Sequence, residues 1–121
     1  KMANKNFKIF DGLTISTSPT ATEKISSNYA IALQIVWSGL SGTGSFDVGV
    51  SMDGTTFDAF PFIDKDGNRV TSIPISGASG SATIEIESVV SDWIKFTVDG
   101  SSATGGTITG YYSQIDNQDT Y

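Results

Sequence analysis

The sequence of 121 residues contains no cysteine and no histidine. Without cysteine there is no disulfide framework, so the stability of the fold must come from packing or from oligomerisation. Without histidine the chain lacks the usual general base and the usual zinc ligand, and neither a Ser–His nor a Cys–His nucleophilic arrangement can form. These two absences exclude the commonest forms of nucleophilic and zinc-dependent catalysis.

Basic residues are also scarce, with 7 Lys and Arg against 13 Asp and Glu and a formal net charge of −6. Proteins that bind nucleic acid or an anionic membrane surface gain affinity from clustered Lys and Arg. The sequence has no such cluster, so we expect neither nucleic acid nor a membrane as a partner. Residues 1–10 contain no apolar stretch long enough for a signal peptide or a membrane span, which predicts synthesis in the cytoplasm without a signal peptide.

The residues that are present favour a folded β-protein. Charged residues make up only 17% of the chain, aromatic residues 11%, and there are 13 glycines. A helical bundle needs more Ala, Leu, Glu and Lys, and a disordered chain has fewer aromatic residues. The length suits one hydrophobic core. We therefore expect residues 1–121 to form a single domain, with residues 1–28 as an N-terminal arm with short strands and 115–121 as a polar tail.

Apolar and polar residues alternate along much of the chain, which is typical of half-buried strands. The longest alternation covers 29–37 and predicts a central strand. Residues 18–22 and 76–81 are predicted to be loops. Further strands are predicted at 45–52, 56–62, 70–75, 82–89, 92–99 and 107–114. Residues 7–10 and 13–15 are short strand candidates, and 23–26 is a weaker one. A total of about eight strands at intervals of about 8–12 residues predicts an all-β fold, an antiparallel, jelly-roll-like β-sandwich.

Two Asp-Gly pairs lie between alternating segments, one in SMDGTTFDAF (51–60) and one in DKDGN (64–68). Both are typical of hairpin turns, because Gly adopts positive φ and Asp or Asn caps backbone N–H groups. Thr55 and Thr56 also offer hydroxyls to a sugar, and Asp64 and Asp66 offer oxygens to a cation. The third acidic position and the closing Glu of a calcium loop are missing. A turn is therefore the favoured interpretation at both places, and no metal or other cofactor is expected.

Catalysis by carboxylates would need two of them facing each other across a cleft at a defined separation. Glu85 and Glu87 fall on one face of the predicted strand 82–89 and are expected to point to solvent. Nothing in the sequence requires another carboxylate to oppose them. We therefore expect the protein not to be an enzyme.

Trp93, Tyr111 and Tyr112 lie in the two C-terminal predicted strands. Flat aromatic rings can stack on sugar rings, and Trp and Tyr are frequent in protein interfaces. Aromatic residues are equally common in hydrophobic cores. Three roles remain open for these residues at this point: a second core layer, a protein interface or a glycan platform.

Two motifs resemble those of small β-sandwich virion structural proteins of tailed bacteriophages. One is a hairpin segment of the form S-x-D-G-T-x-F, and the other is a W-I-K-F strand followed by a Gly/Thr-rich turn and a closing strand. The resemblance extends over about residues 29–114. The matching residues are Ser51, Asp53, Gly54, Thr55, Phe57, Trp93, Ile94, Lys95, Phe96, Gly106, Thr107, Ile108, Thr109 and Gly110.

The resemblance implies a virion location and a role as capsid decoration, head-fibre or tail accessory protein. It implies docking on other capsid or tail proteins and a homo-oligomer. Our own expectation for the assembly is a trimer. It supplies no catalytic residue and no cofactor. The alternative function is a carbohydrate-binding module used in adsorption to the host surface.

Overall fold

The computed structural model describes residues 5–25, 29–89 and 91–116. These residues form a 3₁₀ helix at Ile15–Thr17 and thirteen strands, of which eight have four residues or more and five have two. The longer strands match the expected number, whereas two-residue strands are too short to show alternation. The strands are β1 (Lys5–Thr14), β2 (Thr20–Lys24), β3 (Tyr29–Ser38), β4 (Ser41–Gly42), β5 (Gly44–Ser51), β6 (Asp58–Ala59), β7 (Phe62–Ile63), β8 (Arg69–Val70), β9 (Ser72–Ile75), β10 (Ser79–Val89), β11 (Trp93–Asp99), β12 (Ala103–Thr104) and β13 (Thr107–Asp116).

The strands form two main antiparallel sheets. The six-stranded sheet has the order β1-β13-β3-β10-β7-β8. The five-stranded sheet has the order β2-β11-β5-β6, and β9 pairs with β5 beside β6. A small ladder joins β12 to β4. The predicted all-β antiparallel sandwich is confirmed. Among the described residues no helix is long and apolar enough to cross a bilayer.

The core lies between the two main sheets and is filled by alternate side chains of both. On β11, Ile94, Phe96 and Val98 are fully buried, and the residues between them face outward. The Phe96 ring stacks on Phe46 of the same sheet, with centroids 6.0 Å apart. It also meets Tyr112 of the six-stranded sheet edge to face at 5.9 Å. These aromatic contacts connect the two sheets.

The strand predicted at 29–37 is central in the structure, because β3 lies between β13 and β10. Leu33 and Ile35 point into the core, whereas Gln34 and Val36 are exposed on the opposite side. Glu85 and Glu87 are likewise exposed, with Ile86 buried between them, as the alternation on β10 predicts. This strand begins at Ser79, inside the predicted loop 76–81.

The prediction of single strands at 56–62 and 70–75 was wrong. The first segment is divided between β6 in the five-stranded sheet and β7 in the six-stranded sheet, with Pro61 between them. The second is divided in the same way between β8 and β9. The chain crosses from one sheet to the other at these points, and proline cannot donate to a ladder. Pro74 lies on the edge strand β9, where a proline was expected.

The N-terminal segment is more regular than predicted. The candidates 7–10 and 13–15 are largely one strand, β1, whose pairing with β13 shifts register on either side of Phe10. The predicted loop 18–22 and the candidate 23–26 overlap β2, which pairs with β11. Strand β13 extends through Asp116, into the segment predicted as a tail. Residue 26 and residues 117–121 lie outside the described residues.

Candidate functional site: the two outer faces

The first outer face is the solvent side of the six-stranded sheet. It is formed by the residues of β1, β13, β3 and β10 that alternate with core residues. The centre of the part formed by these four long strands consists of β13 and β3, whose described outward side chains are all uncharged. These are Thr107, Thr109, Tyr111, Ser113, Ala30, Ala32, Gln34, Val36 and Ser38. The centre of this face is therefore uncharged in a protein whose net charge is −6.

Charged side chains lie on both sides of this uncharged centre. Lys8 of β1 has its ammonium 5.9 Å from the Tyr111 ring centroid and 3.7 Å from Asp11 Oδ1. Glu85 and Glu87 of β10 lie on the other side, and Arg69 of β8 lies beyond them in the same row as Glu85. Tyr111 is 46% exposed, so its ring stands open to solvent in the middle of the face.

The second outer face is the solvent side of the five-stranded sheet, and loop residues cover part of it. Trp93 of β11 faces outward beneath the loop that joins β5 to β6. A Cβ placed on Gly54 would lie 3.0 Å from the indole ring, so the loop backbone rests directly on Trp93. The ammonium of Lys24 is 5.5 Å from the Trp93 ring, and that of Lys95 is 4.8 Å from the Phe57 ring.

A hydrogen-bond network within SMDGTTF shapes the loop. The Ser51 hydroxyl accepts from the backbone N–H of Asp53 and of Gly54 (3.2 and 2.9 Å) and donates to Asp53 Oδ1 (2.8 Å). The same Oδ1 accepts from the N–H groups of Thr55 and Thr56, each at 2.8 Å. The Thr56 N–H first, then Thr55 and Ser51, lower the pKa of Asp53 to about 2. The predicted hairpin turn is confirmed by the pairing of β5 with β6.

The DKDGN segment also forms a hairpin turn, between β7 and β8, as predicted. Asp64 Oδ1 accepts from the N–H groups of Asp66 and Asn68, both at 2.9 Å. Gly67 has φ +82°, a backbone conformation that glycine adopts readily. Within residues 5–25, 29–89 and 91–116, no three His, Cys, Asp or Glu side chains are grouped closely enough to hold a metal ion.

The structure separates the three aromatic residues singled out in the sequence. Trp93 lies on the second outer face, and Tyr111 lies on the first. Tyr112 is 2% exposed, so of the three roles left open for it the structure excludes a surface platform and shows a core residue. Its hydroxyl donates to Gln114 Oε1, and its ring lies 4.7 Å from that of Phe7. The alternation along β13 already placed Tyr111 and Tyr112 on opposite sides.

Sequence reasoning did not identify an acidic pair on the second outer face. Asp47 of β5 and Asp99 of β11 are diagonal neighbours across the ladder. Burial, and then repulsion from Asp99, raise the pKa of Asp47. Hydrogen bonds from Ser101 lower the pKa of Asp99. Only the pairing of β5 with β11 brings these carboxylates together, and no local sequence signal indicates it.

No family model and no curated protein matches this sequence. Its fold is nevertheless found in solved structures. The crystal structure of the SPBc2 prophage-derived protein YomS is similar with a TM-score of 0.63 and 13% identity, over 94% of this chain and 95% of that one. A subunit of the disulfide-linked pili of Bacillus endospore appendages is similar with a TM-score of 0.50 and 17% identity, over 95% and 88%. At these identities the likeness shows a shared fold.

Proposed function

We propose that this chain is a non-enzymatic structural protein of a bacteriophage particle, as a capsid decoration, head-fibre or tail accessory protein. The whole-length likeness to a prophage-derived protein supports the phage context. The observation that carries the docking role is the first outer face, whose exposed centre is uncharged and contains Tyr111. Interface centres are poor in charged residues and rich in aromatic ones.

The chemistry of the described residues supports a structural role. The Asp53 and Asp64 carboxylates are engaged by backbone N–H groups in turns. Glu85 and Glu87 project from one strand onto an open sheet face. Asp47 and Asp99 lie side by side on the other face, and their pKa values move in opposite directions because one is half-buried and the other accepts hydrogen bonds.

Assembly of this chain with its partners is non-covalent in the proposal. The similar endospore subunit belongs to pili that are disulfide-linked. This chain has no cysteine with which to form such links. Affinity must therefore come from apolar burial and from complementary charge. The uncharged centre of the first outer face and its charged margins offer these two kinds of interaction.

Particle association tests this function directly. Particles are induced from a strain that carries the gene and sedimented through a density gradient, and the chain is quantified by mass spectrometry in each fraction. We expect it to sediment with the particles in a fixed ratio to the major structural proteins. Recovery only in the soluble fractions would contradict the proposal.

A matched pair of variants links particle association to the first outer face. We expect Tyr111→Glu, in the centre of this face, to be lost from the particles. Met52→Glu introduces the same charge at an exposed apolar residue of the loop between β5 and β6, and it should remain on them. Equal incorporation of both variants would mean that another surface docks.

A second candidate function is glycan binding in host adsorption. The observation that favours it is the exposed Tyr111 ring, with the Gln34 amide directly opposite on the neighbouring strand. An aromatic face beside an amide is a common arrangement in sites that hold a ligand through apolar contact and a few polar groups. A glycan array should then give hits that Tyr111→Ala removes and Trp93→Phe retains. An array without hits rejects this candidate.

A further inference from the structure

We infer that the first outer face is a self-association surface, on which a second copy of this chain packs face to face about a two-fold axis parallel to the strands. This inference rests on the proposed function and names one partner within it. It starts from the nine described uncharged residues in the centre of the face, in a chain with 20 charged residues. Two copies with a net charge of −6 repel each other, so a contact between them is favoured where the surface is uncharged.

The register of the strands fixes where the marginal charges lie. Residues paired across β1, β13, β3 and β10 form one row: Lys8, Tyr111, Gln34 and Thr83. The adjacent row on the same face is Asn6, Ser113, Ala32 and Glu85. Lys8 is therefore on the β1 side, and Glu85 is on the β10 side, one row further along. The row of Glu85 continues through Ile63 to Arg69 of β8, which lies beyond β10 at the edge of the sheet.

These positions select one two-fold axis over the other. An axis parallel to the strands, between β13 and β3, brings β1 of one copy over β10 of the other. Lys8 then lies one row from Glu85 of the other copy, about 7 Å along the strand and within reach of a lysine side chain. An axis across the strands would instead bring β10 over β10 and oppose the glutamates, and like charges across an interface are strongly unfavourable.

The same axis places Tyr111 of one copy opposite β3 of the other. Because β13 of one copy lies over β3 of the other, the Tyr111 ring falls over Gln34 and beside Ala32. Ala30, Ala32 and Ser113 line a shallow depression next to this position, and Glu85 and Glu87 form its β10 side. A projecting aromatic ring over small side chains allows close packing of the two faces, and the symmetry produces each contact twice.

The neighbours of Lys8 within its own chain leave it available for this contact. Its ion pair with Asp11 joins side chains that are 50% and 78% exposed. Exposed pairs of this kind contribute little to stability. Breaking the Lys8–Asp11 pair in favour of a carboxylate of a second copy therefore costs little free energy. The new pair also offsets part of the repulsion between two acidic chains.

Sedimentation equilibrium of the full chain at low and at physiological salt tests the inference. We expect a dimer whose dissociation constant rises with salt. Lys8→Glu and Glu85→Lys should each weaken it about tenfold, because each breaks both symmetric contacts. The double variant K8E/E85K should restore dimerisation. Tyr111→Ala should weaken it about thirtyfold. Matched controls are Lys24→Glu and Asp58→Lys, exposed charge reversals on strands of the five-stranded sheet, which should leave the dimer unchanged.

The outcomes separate this inference from the proposed function. A chain that stays monomeric at all concentrations, or forms a trimer insensitive to these variants, overturns the inference, and so does a double variant that fails to restore the dimer. Particle association remains an independent measurement, so a dimer that is absent from particles would overturn the proposed function alone. Circular dichroism should confirm that each variant is folded. Thr109→Lys places a charge in the centre of the face and is also expected to weaken the dimer.

Discussion

The two outer faces of the sandwich arise from the same alternation of inward and outward residues, yet their outward aromatic side chains differ in exposure to solvent. On the second outer face, outward aromatic residues are covered within the chain, since the Gly54 backbone lies on Trp93 and the Lys95 ammonium lies over Phe57. On the first outer face, Tyr111 remains 46% exposed and Val36 38% exposed. No loop among the described residues covers these two side chains.

This difference in exposure distinguishes residues that stabilise the fold from residues that are available to a partner. A covered aromatic residue stabilises the fold, and its substitution lowers the free energy of unfolding. An exposed aromatic residue in an uncharged area contributes little to folding and is available to a partner. The contact surface of this protein is therefore to be sought on the first outer face, and the experiments below test whether the two faces differ in this way.

The largest expected effect is that of Gly54→Val, on the covered face. Gly54 has φ +79°, and a Cβ there would lie 3.0 Å from the Trp93 ring. The strained backbone and the overpacking together should lower the free energy of unfolding by about 3 kcal/mol, measured by urea denaturation.

Gly67→Val is the matched control for this substitution. Gly67 has a similar φ of +82°, but a Cβ there meets nothing within 4 Å. Only the backbone strain remains, about 1–2 kcal/mol. If both substitutions destabilised the protein equally, the contact between the loop and Trp93 would make no contribution to stability.

Next in size is the contrast between Trp93→Ala and Tyr111→Ala. Loss of the half-buried indole should lower the free energy of unfolding by about 2 kcal/mol without changing self-association. Loss of the exposed tyrosine should change stability by less than about 0.5 kcal/mol while weakening self-association. Thermal melts and sedimentation on the same samples measure both effects. A reversed pattern would contradict the assignment of the two faces.

A smaller effect concerns the acid stability of the covering loop. The pKa of Asp53 falls from its ordinary value of 3.8 to about 2 in the folded protein. Its contribution is therefore fully present above pH 3.8 and is lost as the pH falls through 2. Stability measured between pH 4 and pH 2 should decline less steeply in Asp53→Asn than in the parent chain. Identical slopes would show that the network around Asp53 does not persist in solution.

Much of the fold could be predicted from local alternation, because a half-buried strand must alternate. This is why β3, β11 and β13 were located within a few residues. Alternation does not show which sheet a strand joins, so the division of 56–62 between the two sheets at Pro61 was missed. Only the end of β2 was predicted as a strand, because the outward threonines at its start resemble a loop and its pairing partner is distant in sequence.

The candidate site was less predictable than the fold. Both Asp-Gly turns were found, because turn chemistry is local. The covering of Trp93 by Gly54 and the approach of Lys8 to Tyr111 join residues far apart in the chain. They depend on strand pairings that the sequence does not specify by itself. For the same reason, the difference between the two outer faces was visible only in three dimensions.

The smallest expected effect is a gain in stability from Asp47→Asn on the second outer face. Burial and the nearby Asp99 raise the pKa of Asp47, so the charged form is disfavoured in the folded state. Its contribution to stability is favourable at low pH and is lost as the pH rises through the raised pKa. The asparagine variant should therefore be slightly more stable than the parent at pH 7, and the difference should vanish at acidic pH.

Asp99→Asn should not be stabilising to the same degree, because Asp99 accepts a 3.0 Å hydrogen bond from the Ser101 N–H that favours its charged form. Equal gains from both substitutions would show that general reduction of the negative charge, and not burial of Asp47, determines the effect.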